Sequence, residues 1–352
     1  MFDLILIGYG NVARRFAALL DEQRDVLLRD HGLRARIVGI ATRRHGQVYG
    51  GTDVVSGFSR TASPPEGGHC RNQTTLSFLR NALKRSAAAA SQGRLIVIET
   101  TTLDIARGEP AIGHIRAALA GGAHVITANK GPVAFAYGAL ARAAQRSHRR
   151  FLFEGAVMDG VPIFNLVRET LPAVGVLGFR GVVNSTTNFI LTAMEEGQRF
   201  DDALAEMQAR GVAEADASLD VDGWDAAAKT AALANVLLDA NITPKDVDRQ
   251  GIGPGTGRLA RAARAGGRRL KLVARAERQG RRITARVAPE DLRGDDLLAG
   301  LEGQQNALIL KTELLEEIAI VQRSGSLTQT AYALLSDLIA IARAAGRGPR
   351  RR

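Results

Sequence analysis

The chain is short of cysteine, of aromatic residues, of lysine and of long apolar runs, and each shortage removes a class of function. Cys70 is the single cysteine in 352 residues, which excludes an internal disulfide framework and a cysteine-based structural metal site. Aromatic residues make up 5% of the chain, so the formal net charge of +11 lacks the aromatic partners of a nucleic-acid surface. Arginines are spread through every segment instead, and the expectation is a solvated basic surface with no nucleic-acid partner. The apolar start, residues 2–7, is too short to span a bilayer and carries no small-residue cleavage site, so a cytoplasmic protein without a membrane partner is expected. Of 47 Lys and Arg residues only six are lysine, at 84, 130, 229, 245, 271 and 311. Arginine thus serves by default wherever surface charge suffices, and each retained lysine is the more informative for it.

What is present begins with alternation. Short apolar runs at 2–7, 36–41, 95–99, 124–127 and 151–153 read as strands, separated by helix-like stretches at 12–20, 75–90, 110–120 and 133–146. Strands alternating with helices predict a parallel sheet covered on both faces. Residues 43–74, rich in Gly, Ser and Pro, read as loop. After Glu154 the pattern changes: helices are expected at 163–170, 189–196 and 201–210, and strands at 174–183, 270–276, 282–287 and 307–310, giving a mostly antiparallel sheet. A last helix, 330–344, is placed to fold back onto the first domain.

The first strand ends in Gly8-Tyr9-Gly10-Asn11-Val12-Ala13. A first glycine permits the tight turn, a second lets a pyrophosphate approach the backbone, and a small third residue packs helix on strand. At the head of such a series this predicts a nicotinamide dinucleotide held by Gly8, Gly10, Asn11 and Val12. At the end of the second strand the acidic residue for a ribose 2′-hydroxyl is missing, and Thr42-Arg43-Arg44 stands there. A hydroxyl and two guanidiniums suit a 2′-phosphate, so NADP(H) is expected in preference to NAD(H), with Arg43 as a cofactor contact.

Residues 211–230 read GVAEADASLDVDGWDAAAKT and lead into a long apolar run. Between Ala226 and Leu238 the only charged residue is Lys229, so a helix here is apolar nearly all round and must be buried. A buried ammonium needs a partner, and Asp225 lies at the i, i+4 spacing that supplies one. The blander alternatives are an exposed helical ion pair contributing about 0.2–0.5 kcal/mol, and a solvated acidic loop.

Three further segments stand beside these: Thr127-Ala128-Asn129-Lys130-Gly131-Pro132 at the carboxyl end of a strand, residues 154–162 (EGAVMDGVP), and Asn184-Ser185-Thr186-Thr187-Asn188-Phe189-Ile190-Leu191. With the glycine turn and the acid-rich segment, their order and spacing resemble homoserine dehydrogenase, closely up to residue 240 and loosely beyond it. The resemblance implies an α/β fold: an N-terminal Rossmann dinucleotide-binding domain (1–155, rejoined by the C-terminal helix 326–345) and a second, α+β domain for substrate and dimerisation (156–325). It implies reversible reduction of L-aspartate 4-semialdehyde to L-homoserine with NAD(P)H, on the pathway to threonine and methionine. By that likeness Lys229 is the general acid, Asp225 orients it, and Lys130 is a second positive group beside nicotinamide and substrate. Glu214, Asp220 and Asp225 hold the substrate ammonium with Thr186 close by, Thr100 and Gly211 lie against the cofactor, and the enzyme is a homodimer. A monovalent cation such as sodium is implied at Glu154, Val157, Asp159 and Val161.

The chain departs from the family pattern at Met158-Asp159-Gly160, where a glycine-rich turn is usual, at Ala217, where proline is frequent, and at 324–327, which is poorer in glycine. Thr186 and Thr187 also suit a plain capping role for a helix beginning near Asn188. Two rival functions remain open at this point: a paralogous dehydrogenase of another small amino or hydroxy acid, and a non-catalytic dinucleotide sensor, which would have no use for a proton donor.

Overall fold

The computed structural model describes residues 1–43, 46–50, 55, 74–88, 94–209, 216–280 and 282–346. Arg44, Cys70, Gly211 and Glu214 lie outside the described residues. The chain divides into two compact units: Met1–Pro132, Ala136–Pro162 and Ser326–Arg352 form the first, Val133–Phe135 and Ile163–Gly325 the second.

The first unit is built on β1 (Phe2–Ile7), β2 (Ala35–Thr42), β3 (Gly46–Tyr49), β4 (Leu95–Glu99), β5 (His124–Thr127) and β6 (Phe151–Leu152). Their order is β3-β2-β1-β4-β5-β6, parallel throughout except for the antiparallel β3 at one edge. Leu4, Ile5, Leu6 and Ile7 are all fully buried, as a strand sandwiched between helices requires. Those helices are α1 (Asn11–Glu22), α2 (Arg24–His31), α3 (Thr75–Ala88), α4 (Ala111–Ala120) and α5 (Lys130–Arg146). Within this unit Phe16 of α1 and Leu334 and Leu338 of the last helix share one apolar core with Leu4 and Leu6.

In the second unit β7 (Val176–Val182) is followed by α6 (Ser185–Glu195), α7 (Phe200–Ala209), α8 (Ser218–Val221), α9 (Trp224–Leu237), β8 (Asp248–Arg249), α10 (Thr256–Ala265), β9 (Arg268–Gln279), β10 (Arg282–Arg293), β11 (Asn306–Thr312) and β12 (Glu317–Gln322). The sheet order is β12-β11-β7-β9-β10-β8, with every pairing antiparallel except the two-residue β8. The chain then returns to the first unit as α11 (Leu327–Gly346). No helix among the described residues is long and apolar enough to cross a membrane.

The expected strands are present, and the departures have local causes. α5 begins at Lys130 rather than near 133 because Asn129 caps it, its Oδ1 accepting from the Gly131 N–H at 2.9 Å. Proline is tolerated in a first helical turn, where its missing N–H has no partner to lose. The segment 166–170 is π-helical rather than α-helical. The helices α2 and α10, the four-residue α8 and the strands β3, β8 and β12 are not among the expected elements. The first two are arginine-rich, with apolar stripes too narrow to read as a long periodic pattern.

Lys271, in the middle of β9, is fully buried. Its Nζ donates to Asn188 Oδ1 at 3.0 Å and to the Leu301 carbonyl. Burial lowers this ammonium to a pKa of about 8, with Glu195 pulling the other way. In the unfolded chain the same lysine stays protonated to about pH 10.4. Between these values the unfolded state binds the extra proton, so unfolding free energy should rise with pH across the window from about 8 to about 10.4. We expect the difference in stability between wild type and Lys271→Met, read by urea denaturation, to change by about 2–3 kcal/mol across that window. A flat difference would show that Lys271 does not carry its proton in the way its burial demands.

Candidate active site

In the first unit the carboxyl ends of β1 and β4 meet where the strand order reverses, the position at which open α/β sheets bind ligands. Gly8 follows β1 with φ +91, and a Cβ there would lie 2.7 Å from the Thr100 carbonyl oxygen just past β4. Only glycine fits both the left-handed backbone and this close approach. Gly10 has open space where a Cβ would project, and α1 starts behind it without a side-chain cap and without an acidic residue in its first turn. The first-turn N–H groups that a helix start leaves without intrahelical partners suit an anionic pyrophosphate, so Gly8, Gly10, Asn11, Val12 and Thr100 fit a dinucleotide. Arg43 follows β2 and is exposed, while the Thr42 hydroxyl donates to the Gly46 carbonyl at 3.3 Å.

Glu99, which ends β4, is fully buried, and no sequence signal marked it. Its Oε1 accepts from the Thr101 N–H at 2.9 Å and from the Thr101 hydroxyl. Its Oε2 accepts from Thr127 Oγ at 3.0 Å, and His114 Nδ1 lies 4.0 Å from Oε1. Thr127 Oγ in turn accepts from the Asn129 N–H, and Asn129 Nδ2 donates to the Thr101 carbonyl, each at 3.0 Å. One buried carboxylate therefore ties together the two loops that carry Thr100 and Lys130. Lys130 is the half-buried first residue of α5.

The proposed cation residues lie in the turn after β6. Glu154 is buried, and its N–H donates at 2.9 Å to the fully buried Asp337 of α11. Val157 is buried as well. Asp159 takes φ +47, which an aspartate tolerates better than most residues, and its Oδ1 accepts from Thr330 Oγ at 2.8 Å. The Val161 N–H donates to the Met158 carbonyl. Among the described residues no group of three or more His, Cys, Asp or Glu is arranged to hold a metal. A cation here would depend on backbone carbonyls and the Glu154 carboxylate, hard oxygens of the kind alkali ions take.

In the second unit Lys229 is no surface residue. Ala226, Ala227, Ala228, Ala231, Ala232 and Leu233 of α9 are buried around it, and the Lys229 and Asp225 side chains are 16% and 14% exposed. Nζ lies 3.0 Å from Asp225 Oδ2 and donates to the Val183 carbonyl at 2.7 Å. Asn184, next in sequence, donates through Nδ2 to Asp220 Oδ1 at 2.7 Å and to Asp225 Oδ2 at 2.9 Å. Asp220, Asp225 and Lys229 are thus brought together, with Asn184 added. The acidic loop is pinned from behind: the Ile252 N–H donates to the Val221 carbonyl at 2.8 Å, and a Cβ on Gly251 would come within 2.3 Å of that oxygen. Asp216 is exposed, with its carboxyl pulled below the usual range by hydrogen bonds from Ser218.

The helix expected to start near Asn188 starts at Ser185. Its cap is Asn184, whose Oδ1 accepts from the Thr187 N–H at 2.8 Å. Thr186 and Thr187 are therefore buried first-turn residues, not the cap. A sequence signal for Asn184 existed: an Asn before a polar helix start is a frequent cap.

A family model described as homoserine dehydrogenase matches residues 162–339, and one described as the homoserine dehydrogenase NAD binding domain matches residues 8–154. The chain is 36% identical over 349 residues to an NAD(+)-dependent homoserine dehydrogenase of Pseudomonas canavaninivorans, covering 98% of this chain and 97% of that one. It is 33% identical to a homoserine dehydrogenase of Sulfurisphaera tokodaii, covering 97% and 98% of the two chains. The crystal structure of a homoserine dehydrogenase from Thiobacillus denitrificans superposes with a TM-score of 0.81 at 28% identity, over all of this chain and 75% of that one.

The Glu99 network predicts an order of damage. Glu99→Ala leaves the Thr101 donors unmet in a closed environment and should cost about 2–4 kcal/mol in urea denaturation. Glu99→Gln keeps an acceptor oxygen and should cost less than half of that. Equal losses in the two variants would count against the carboxylate as the tie between the loops.

Proposed function

Since the chain belongs to the homoserine dehydrogenase family, we propose that it interconverts L-aspartate 4-semialdehyde and L-homoserine, with Lys229 as the proton donor and acceptor. The observation that carries this is the Lys229 ammonium, carried by a helix apolar nearly all round and held by Asp225 Oδ2 and the Val183 carbonyl. A nicotinamide dinucleotide held at the glycine turn by Gly8, Gly10, Asn11 and Val12 would supply the hydride chemistry in both directions. As the aldehyde carbon gains hydride its oxygen develops alkoxide charge, and Lys229 stabilises that charge and then delivers a proton to the oxygen. In the reverse direction Lys229 starts as the neutral amine and takes the hydroxyl proton from homoserine as hydride leaves the carbon, returning to the ammonium. An ammonium has three N–H bonds, and among the described residues two of those on Lys229 are committed, which leaves one for the substrate oxygen.

Asp220 supplies negative charge for the substrate ammonium, and in this reading Glu214, outside the described residues, joins it, with Thr186 contributing from the first turn of α6. Lys130 belongs to the cofactor side of the reaction as a second positive group, and Gly211 contributes a cofactor contact. Glu154, Val157, Asp159 and Val161 hold a monovalent cation. The working unit is a homodimer formed through the second unit, in line with the exposed Leu314, Leu315 and Val321 around β12.

For the cofactor we infer a preference for NADP(H), because the end of β2 offers Thr42 and the exposed Arg43 and no carboxylate. The relative from Pseudomonas canavaninivorans is named as NAD(+)-dependent, so the preference is a matter for measurement. We expect kcat/KM with NADP⁺ to exceed that with NAD⁺. Arg43→Asp should shift the ratio toward NAD⁺ by about 10- to 100-fold, the worth of one charge-assisted hydrogen bond. An unchanged ratio would take Arg43 out of cofactor recognition.

The activity itself is tested by oxidising L-homoserine beside a panel of related hydroxy amino acids. Lys229→Ala should lower kcat by about 10²- to 10⁴-fold. Turnover of another substrate but not of homoserine would favour a paralogous dehydrogenase, and a fully active Lys229→Ala would remove the lysine from proton transfer.

A further inference from the structure

Asn184 stands at the junction of β7 and α6, buried to 5% exposure, and touches two of the carboxylates of the proposed reaction, Asp220 and Asp225. Each hydrogen-bonding position of its amide is taken. Oδ1 accepts from the Thr187 N–H at 2.8 Å and from the Thr187 hydroxyl at 3.0 Å. Nδ2 spends both hydrogens on carboxylates, reaching Asp220 Oδ1 at 2.7 Å and Asp225 Oδ2 at 2.9 Å. This orientation is the only one the surroundings permit, because a flipped amide would set its oxygen against two carboxylates and its NH₂ against the Thr187 N–H.

We propose that Asn184 is a positioning residue of the reaction: its amide nitrogen binds the carboxylate assigned to the substrate ammonium to the carboxylate that orients the proton donor. This rests on the roles given above to Asp220, Asp225 and Lys229. Capping α6 needs only an acceptor oxygen, which Ser, Thr or Asp supplies as well as Asn does. The nitrogen end has no part in the cap, and its two partners are Asp220 and Asp225.

The electrostatic need is clear. Two carboxylates within hydrogen-bond reach of a single nitrogen repel each other, and without a donor between them one would take up a proton or move away. Either response would release Asp225 Oδ2, the oxygen 3.0 Å from Lys229 Nζ. A neutral amide donor bridges both carboxylates without adding a positive charge that would compete with the substrate ammonium. The neighbouring Val183 carbonyl fixes the other side of Nζ at 2.7 Å, so residues 183 and 184 together aim the proton donor. The charged groups facing the Asn184 amide among the described residues are Asp220 from α8 and Asp225 from α9, with Lys229 one contact further on.

The test uses the full chain with Asn184→Ser and Asn184→Asp, both of which keep an oxygen for the Thr187 N–H while removing the amide NH₂; serine retains a single O–H, too few hydrogens for both carboxylates, and aspartate none. Asn184→Ser should unfold within about 5 °C of wild type and lose about 10- to 100-fold in kcat with L-homoserine. Asn184→Asp sets a third carboxylate beside the other two, so its kcat should fall further. The acid limb of its kcat/KM profile should also move up by about one pH unit. Either variant folded, with kcat within twofold of wild type and an unmoved pH profile, would overturn the proposal. Lys229→Ala assayed in parallel keeps the two readings apart. Retained activity there removes the proton-donor assignment, whereas loss there beside native kcat in the Asn184 variants removes the inference about Asn184 alone.

Discussion

An ammonium carried by a helix that is apolar nearly all round sets the terms for the second unit. Lys229 cannot reach bulk water freely, so its charge must be met by groups that the fold delivers to it, and those groups come from two separate stretches. Asp225 arrives from the same helix one turn earlier and the Val183 carbonyl from just past β7, while Asn184, the next residue, holds Asp225 in place from the cap of α6. Leaving the ammonium with one of these partners missing would cost more than the pair contributes when complete, because an uncompensated buried charge is heavily penalised. The acidic loop before α9 is for that reason braced from behind by residues 249–252, where Gly251 permits a backbone approach that a Cβ would block.

The first unit meets a related demand with the opposite sign. Glu99 is a carboxylate with no exposure, compensated by two threonines rather than by a cation at hydrogen-bond distance. Its hydrogen bonds run sideways along the carboxyl edge of the sheet, from the loop after β4 to the loop after β5. The glycine turn after β1 reaches the same edge through the close approach of Gly8 to the Thr100 carbonyl. Three loops at one sheet edge are thus fixed by a buried carboxylate and a missing side chain, a rigid setting of the kind that lets a loop place functional groups accurately.

Much of this was legible in the sequence because it depends on spacing. The alternation of short apolar runs and helices specified the parallel sheet, the glycine turn specified its binding edge, and the i, i+4 relation of Asp225 to Lys229 specified the ion pair. The grouping of these residues with Lys130 and the acids at 214 and 220 came from family likeness rather than from spacing. What could not be read were partners distant in sequence. Val183 is 46 residues from Lys229, Asn184 is 36 from Asp220, and Glu99 is 28 from Thr127, and no periodicity links such pairs. Helix starts were misjudged for another reason: Gly131-Pro132 and Ser185-Thr186-Thr187 look like breakers by propensity, yet an asparagine cap overrides that preference in both places.

The two asparagines of α6 also show how one helix serves two tasks. Asn184 and Asn188 stand one turn apart, the first joined to Asp220 and Asp225, the second donating to the Gly303 and Gln305 carbonyls and accepting from the buried Lys271. That arrangement bears on the choice of lysine in a chain that otherwise favours arginine. Lys84, Lys245 and Lys311 are exposed, while Lys130 and Lys229 are half-buried and Lys271 is fully enclosed. Guanidinium does not release a proton in a protein and spreads its donors over a rigid plane. An arginine at 271 would bring a permanent charge and a wider head into a closed space, and one at 229 would keep the positive charge yet be unable to pass a proton to an alkoxide. Scarcity of lysine in the composition thus becomes, at these positions, a statement about chemistry: the compact cation is kept at 271, where the space is closed, and at 229, where the proposed proton transfer needs it.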